Sequence, residues 1–107
     1  MAWDAGLVAR VADVLDQLCE HGVRQKNVFS GRGFLRGKKT FVIVWGDDLL
    51  VKTRPDEYRQ LLGQRGVTPF APDGERAMST WVVVEASEIA DDPELTEWVR
   101  RGAGAIR

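Results

Sequence analysis

Cysteine and histidine are nearly missing from this 107-residue chain: Cys19 and His21 are the only two. One cysteine rules out an internal disulfide and fits a reducing interior, so a cytoplasmic location is expected. One cysteine and one histidine also fall short of the ligand set of a structural zinc site. No apolar run approaches the roughly 20 residues of a membrane-spanning helix, and no membrane contact is expected. Met1-Ala2-Trp3-Asp4 lacks a basic leader, and Asp13, Asp16 and Glu20 interrupt any signal-like core. An excess of one charge is missing too. A formal net charge of −1 gives no bulk attraction for nucleic acid or anionic lipid.

What remains is the make-up of one ordinary globular domain over residues 1–107. Its apolar content of 44% and charged content of 29% suffice for a single core without covalent staples. The charges are unevenly placed. Arg24, Lys26, Arg32, Arg36, Lys38 and Lys39 follow one another with no acid between them. Glu85, Glu88, Asp91, Asp92, Glu94 and Glu97 do so with no base. Both runs read first as solvated faces, partly pairing with each other.

Residues 4–21 predict an amphipathic helix with Leu7, Val8, Val11, Leu15, Leu18 and Cys19 on its apolar side and Gly22 as its stop. Cys19 then reads as a small buried hydrophobe. From Val28 to Thr53 the pattern changes to a β-meander. A glycine-broken strand carries Phe29 and Phe34, which a bulge at Gly31-Arg32-Gly33 would bring to one side. Turns at Arg36-Gly37-Lys38 and Gly46-Asp47-Asp48 flank the strand Thr40–Trp45 and lead into Leu49–Lys52. A second helix is expected from Pro55 to about Gln64, with Tyr58, Leu61 and Leu62 inward and Gly66 after it. Val67–Arg76 reads as loop or short edge strand, and Ser79–Glu85 as a strand. Asp92-Pro93-Glu94 starts a last helix with the stripe Leu95, Trp98, Val99, Ala103 and Ile106.

The strands are apolar on both faces. Phe41, Ile43 and Trp45 oppose Val42 and Val44, and Trp81 and Val83 oppose Val82 and Val84. Three short helices cover one face and only part of a second, so a homodimer is expected.

The motif Phe29-Ser30-Gly31-x-Gly33-Phe34 is followed by Gly37-x-x-x-Phe41 and by Asp48-Leu49-Leu50-Val51-Lys52. Further on come Pro69-Phe70, Ala77-Met78-Ser79-x-Trp81 and Asp92-Pro93-Glu94-x-x-x-Trp98. In this order and spacing the chain resembles the N-terminal domain of TfoX/Sxy-type proteins over residues 22–107, with Ser30 where glycine is more usual. The resemblance implies an α+β fold of the order α-β-β-β-α-(β)-β-α. Three helices would flank a mostly antiparallel four- to five-stranded sheet, similar to secretion chaperones. Longer family members regulate natural competence in bacteria with a cyclic-AMP receptor protein and carry a further C-terminal domain. The present chain is read as a stand-alone version, for which the family implies no enzymatic activity.

Tests for chemistry point the same way. The glycine-rich segment has five residues between Gly31 and Gly37, and Lys38 is followed by Lys39, so it is no phosphate loop. His21 reads as a helix-end residue near the last carbonyls, Asp47-Asp48 as a turn, and Asp91-Asp92 as a helix cap. Trp45, Trp81 and Trp98 read as core or interface; Trp3 has no assigned environment. No catalytic, cofactor or metal residue is expected.

The expected function is a small non-catalytic regulatory domain acting through an unidentified protein partner, possessing a role linked to transcription. Its structural motif is Phe29, Gly31, Gly33, Gly37, Trp81 and Trp98. The alternative is a nucleic-acid-binding regulator whose contacts are Arg32, Arg36, Lys38 and Lys39. The overall charge and the need for the phenylalanines in a core weigh against it. A third reading, a small-ligand binder or enzyme with a pocket beside Tyr58 and Trp81, has least support.

Overall fold

Asp4 opens the first helix by accepting hydrogen bonds from the N–H groups of Gly6 (2.7 Å) and Leu7 (3.2 Å), donors that a helix start otherwise leaves free. In the computed structural model, which describes residues 3–71, 77–78 and 80–107, helix α1 spans Ala5–Gln17. It buries Leu7, Val11, Val14 and Leu15. It stops short of the expected residue 21. Cys19 takes a left-handed backbone at φ 57°, and the N–H groups of Cys19 and Glu20 bond the carbonyls of Asp16 (3.0 Å) and Leu15 (2.9 Å). This is a Schellman closure. Cys19 is therefore exposed, not buried: the chain leaves the helix before the apolar stripe reaches it. His21 lies beyond that closure, also exposed, rather than on the last helical turn.

Strands β1 (Val23–Val28), β2 (Gly31–Arg36), β3 (Lys39–Trp45), β4 (Asp48–Lys52), β5 (Val67–Pro69) and β6 (Trp81–Val84) form one antiparallel sheet. Its order is β1-β2-β3-β4-β6-β5. Helix α2 (Pro55–Leu61) connects β4 to β5, and a short 3₁₀ turn (Ala86–Ile89) leads to helix α3 (Asp92–Ala105). The fold is α+β, with six strands where four to five were expected. Residues 72–76 of the expected loop or edge strand, the expected strand start at Ser79 and the first two residues lie outside the described residues.

The additional strand comes from Phe29 and Ser30. Val28 pairs with Gly31, and the two residues between them form a tight loop with φ 51° and 65°, the backbone of a type I′ hairpin turn. The expected glycine-broken strand is thus two strands, and the expected bulge at Gly31-Arg32-Gly33 is absent from their pairing. The register shifts further on: Phe34 pairs with Val42 and Leu35 with Thr40, leaving Phe41 as the extra residue. That bulge sends Phe41 into the helix-covered core, which corrects the expectation that it shares a face with Ile43 and Trp45.

The front face carries all three helices. Phe34, Val42, Val44, Leu49, Val51, Val82 and Val84 meet the buried stripes of α1 and α3, together with Leu61 of α2. The α3 stripe keeps the expected Leu95, Trp98, Val99 and Ala103 and adds Gly102, while the expected Ile106 falls at the C-cap and is only partly buried. A Cβ on Gly102 would lie 2.7 Å from the Phe41 carbonyl oxygen, so only glycine lets α3 sit this close to β3. The back face has a smaller cluster of Ile43, Leu50, Phe70 and Trp81, edged by Val28, Met78 and Val83. Gly31 sits between β1 and β3 on the same logic, since its Cβ would meet the Val44 carbonyl oxygen at 2.5 Å. Among the described residues, no helix contributes to the back cluster.

Candidate functional site

Among the described residues, Phe29 and Trp45 are the large hydrophobic ones left exposed, at 47% and 37%. Both sit at hairpin loops on one end of the sheet. Phe29 is the first loop residue between β1 and β2, and Trp45 is the last residue of β3 before Gly46. A non-glycine residue in the left-handed region costs roughly 1–2 kcal/mol, and Phe29 and Ser30 both occupy it. Phe70, just beyond β5 and fully buried, lies between the two exposed rings. Its centroid is 5.4 Å from Phe29 at 72° and 5.5 Å from Trp45 at 76°. Such edge-to-face pairs contribute about 0.5–1.5 kcal/mol each, enough to hold the rings in place but not to cover them. Trp45 also borders an open groove of ≈ 490 Å³ with Gly46, Asp47, Asp48 and Ala86. The Asp48 carboxylate there accepts from the Ala86 N–H at 3.0 Å, so this residue braces the turn.

The basic residues singled out from the sequence are dispersed. Arg32 donates to Gln25 Oε1 (3.0 Å) and Asn27 Oδ1 (2.8 Å). Arg36, at the other end of β2 and about 13 Å along the strand, donates to the Glu20 carboxylate and to the His21 carbonyl. Lys38 and Lys39 are exposed at the β2–β3 hairpin. Arg36 is thus committed to a carboxylate, and the four do not form one continuous basic face. The acidic run pairs elsewhere: Asp92 with Arg10 at 3.1 Å and Glu97 with Arg100 at 3.2 Å. The two charged runs do not pair with each other among the described residues. Asp91 stands at the N-cap of α3, the expected capping position, and its carbonyl accepts from the Leu95 N–H at 3.1 Å, but its side chain makes no capping bond.

Among the described residues, Glu20 alone has its proton affinity clearly displaced. Burial acts to raise its pKa, but hydrogen bonds from Arg107 and Arg36 and their charges prevail and lower it below the ordinary value. The carboxylate ties the end of α1 to β2 and to the chain end after α3. This is a structural clamp.

Of the motif residues, Gly31 and Gly33 lie in β2, Gly37 takes φ 62° in the next hairpin loop, and Trp81 and Trp98 are buried. Trp3 is half-buried against the front core and bridges to Gly46. Tyr58 packs on the front core while Trp81 belongs to the back cluster, so the expected pocket between them does not form. Trp81 instead lines a different cavity with Lys39, Thr40, Lys52, Ala105 and Ile106. Sequence reasoning missed this grouping. Lys52 was visible only as the end of a strand motif, and the backbone of Thr80 beside it carries no local sign.

Among the described residues, no group of three His, Cys, Asp or Glu side chains could hold a metal ion, and no helix is long and apolar enough to cross a membrane. A family model for the TfoX N-terminal domain matches residues 8–106. Comparison with curated proteins and with solved structures finds no match.

Proposed function

The chain belongs to the TfoX N-terminal domain family, and from that premise we propose that it is a non-catalytic interaction domain. Its contact surface is the aromatic end of the open sheet face, and its partner there is a second copy of the chain. The observation that carries this reading is the exposure of Phe29 and Trp45 around the buried Phe70. Large aromatic residues ringed by polar ones mark contact surfaces. The rim carries both signs: Lys26 shares the side of β1 that bears Val28, and Asp47 adjoins Trp45. Two copies related by a two-fold axis can set one rim against the opposite rim of the other. A regulatory role linked to transcription would then be exercised through protein contacts.

Sedimentation equilibrium of the wild-type chain and of Trp45→Ser tests this. A dimer that the substitution converts to monomer is the expected result, and a strict wild-type monomer at high concentration removes the second-copy assignment. A salt-sensitive DNA complex abolished by charge reversal at Arg32, Arg36, Lys38 and Lys39 would put nucleic acid first instead.

A further inference from the structure

At the end of the sheet opposite the aromatic patch, the last turn of α3 overhangs the ends of the central strands. The cavity beneath it has a volume of ≈ 410 Å³ and is lined by Lys39, Thr40, Lys52, Trp81, Ala105 and Ile106, a size suited to a small molecule. Its two ammonium groups are not in a salt bridge with any described residue. Lys52 is nevertheless fixed: Nζ donates to Thr80 Oγ1 at 2.7 Å and lies 5.8 Å from the centre of the Trp81 ring.

Thr80 supplies an independent observation. It is β-branched yet stands at φ 75°, a backbone region in which such residues are strained. Thr53 holds it there. The Thr53 N–H and hydroxyl both donate to the Thr80 carbonyl, at 2.6 and 3.0 Å, and Thr53 is fully buried. A buried threonine thus imposes a strained one, whose hydroxyl aims a lysine without a carboxylate partner among the described residues toward a half-apolar cavity.

We propose that this cavity binds a small amphiphilic anion. A carboxylate or phosphate head group sits on Lys52 and Lys39, and a short hydrocarbon body lies against Ala105, Ile106 and the edge of Trp81. The lysines supply point charges that accept either head group. The site does not depend on self-association.

The test is a nuclear magnetic resonance titration of the full chain with hexanoate, hexyl phosphate, hexanol and inorganic phosphate, read at the Trp81 indole N–H and the Lys52 amide. Saturable shifts with either hexyl anion, and much weaker ones with hexanol and inorganic phosphate, are expected. Saturation by only one anion identifies its head group as the natural one. Lys52→Met should weaken binding about tenfold, and Ile106→Ser should weaken the hexyl anions while leaving inorganic phosphate unchanged. If Lys52→Met does not fold, Lys39→Met, at an exposed position, replaces it with a smaller loss expected. Hexanol binding as tightly as hexanoate, folded lysine variants that bind like the wild type, or no shift with either anion would overturn the proposal.

Discussion

Phe34 is 1% exposed on the helix-covered face of the sheet, whereas Phe29, at the loop end of the same hairpin, is 47% exposed. Both are phenylalanines of one short motif, and both faces of the sheet are built from valine, leucine, isoleucine and aromatic residues. The difference lies in what the rest of the chain brings to each side. Helices α1, α2 and α3 all direct their apolar stripes to the front. The back receives Phe70 and Met78 from the described part of the segment between β5 and β6, while Phe29 and Trp45 at its loop end stay exposed. Apolar patterning thus predicts which residues avoid water, but the covering elements decide which of them succeed.

The sharpest break in this comparison is Phe34→Ala. Truncating a fully buried phenylalanine costs about 3–5 kcal/mol, against a total stability on the order of 5–15 kcal/mol for a domain of this kind. Urea denaturation should show a large fall in midpoint. A loss comparable to that of a surface substitution would mean that the front core is not packed as described.

A smaller effect separates the layers by pH. The lowered pKa of Glu20 means that its clamp contributes fully above the value of an unfolded carboxyl, 4.5. The contribution fades as pH falls below that point toward the folded value, where the native carboxylate takes up its proton. Glu20→Gln should therefore cost about 1 kcal/mol near neutrality and little at strongly acidic pH. The wild-type and variant stabilities should converge on acidification. Divergence would show that Arg36 and Arg107 do not hold the carboxylate in solution.

Features set by local periodicity were legible in the sequence. The Leu95, Trp98, Val99 and Ala103 stripe and Pro93 define α3 without reference to any other segment. Gly37 and Gly46 mark their hairpins because glycine takes a positive φ at little cost. Features set by pairing were not legible. The bulge at Phe41 exists only relative to β2, and nothing in its neighbours signals it. The left-handed residues Cys19, Phe29, Ser30 and Thr80 lack the glycine or asparagine that usually announces such a backbone. Of the candidate site, Trp45 was readable as an apolar-face residue. The open side was not, because exposure depends on where the helices go.

The smallest effect on stability is expected at Phe29, and it carries the most information about the open face. Phe29→Asn exchanges a strained aromatic for a residue that tolerates the left-handed region. The relief of strain opposes the loss of one edge-to-face contact with Phe70, about 0.5–1.5 kcal/mol. The two effects nearly cancel, so the unfolding free energy from urea denaturation should change by less than about 1 kcal/mol in either direction. Self-association should still weaken, because the ring removed is the more exposed of the two. A stability loss approaching that of Phe34→Ala would show that the Phe29 ring is buried in solution. Unchanged stability with unchanged association would move the contact surface away from this end of the sheet.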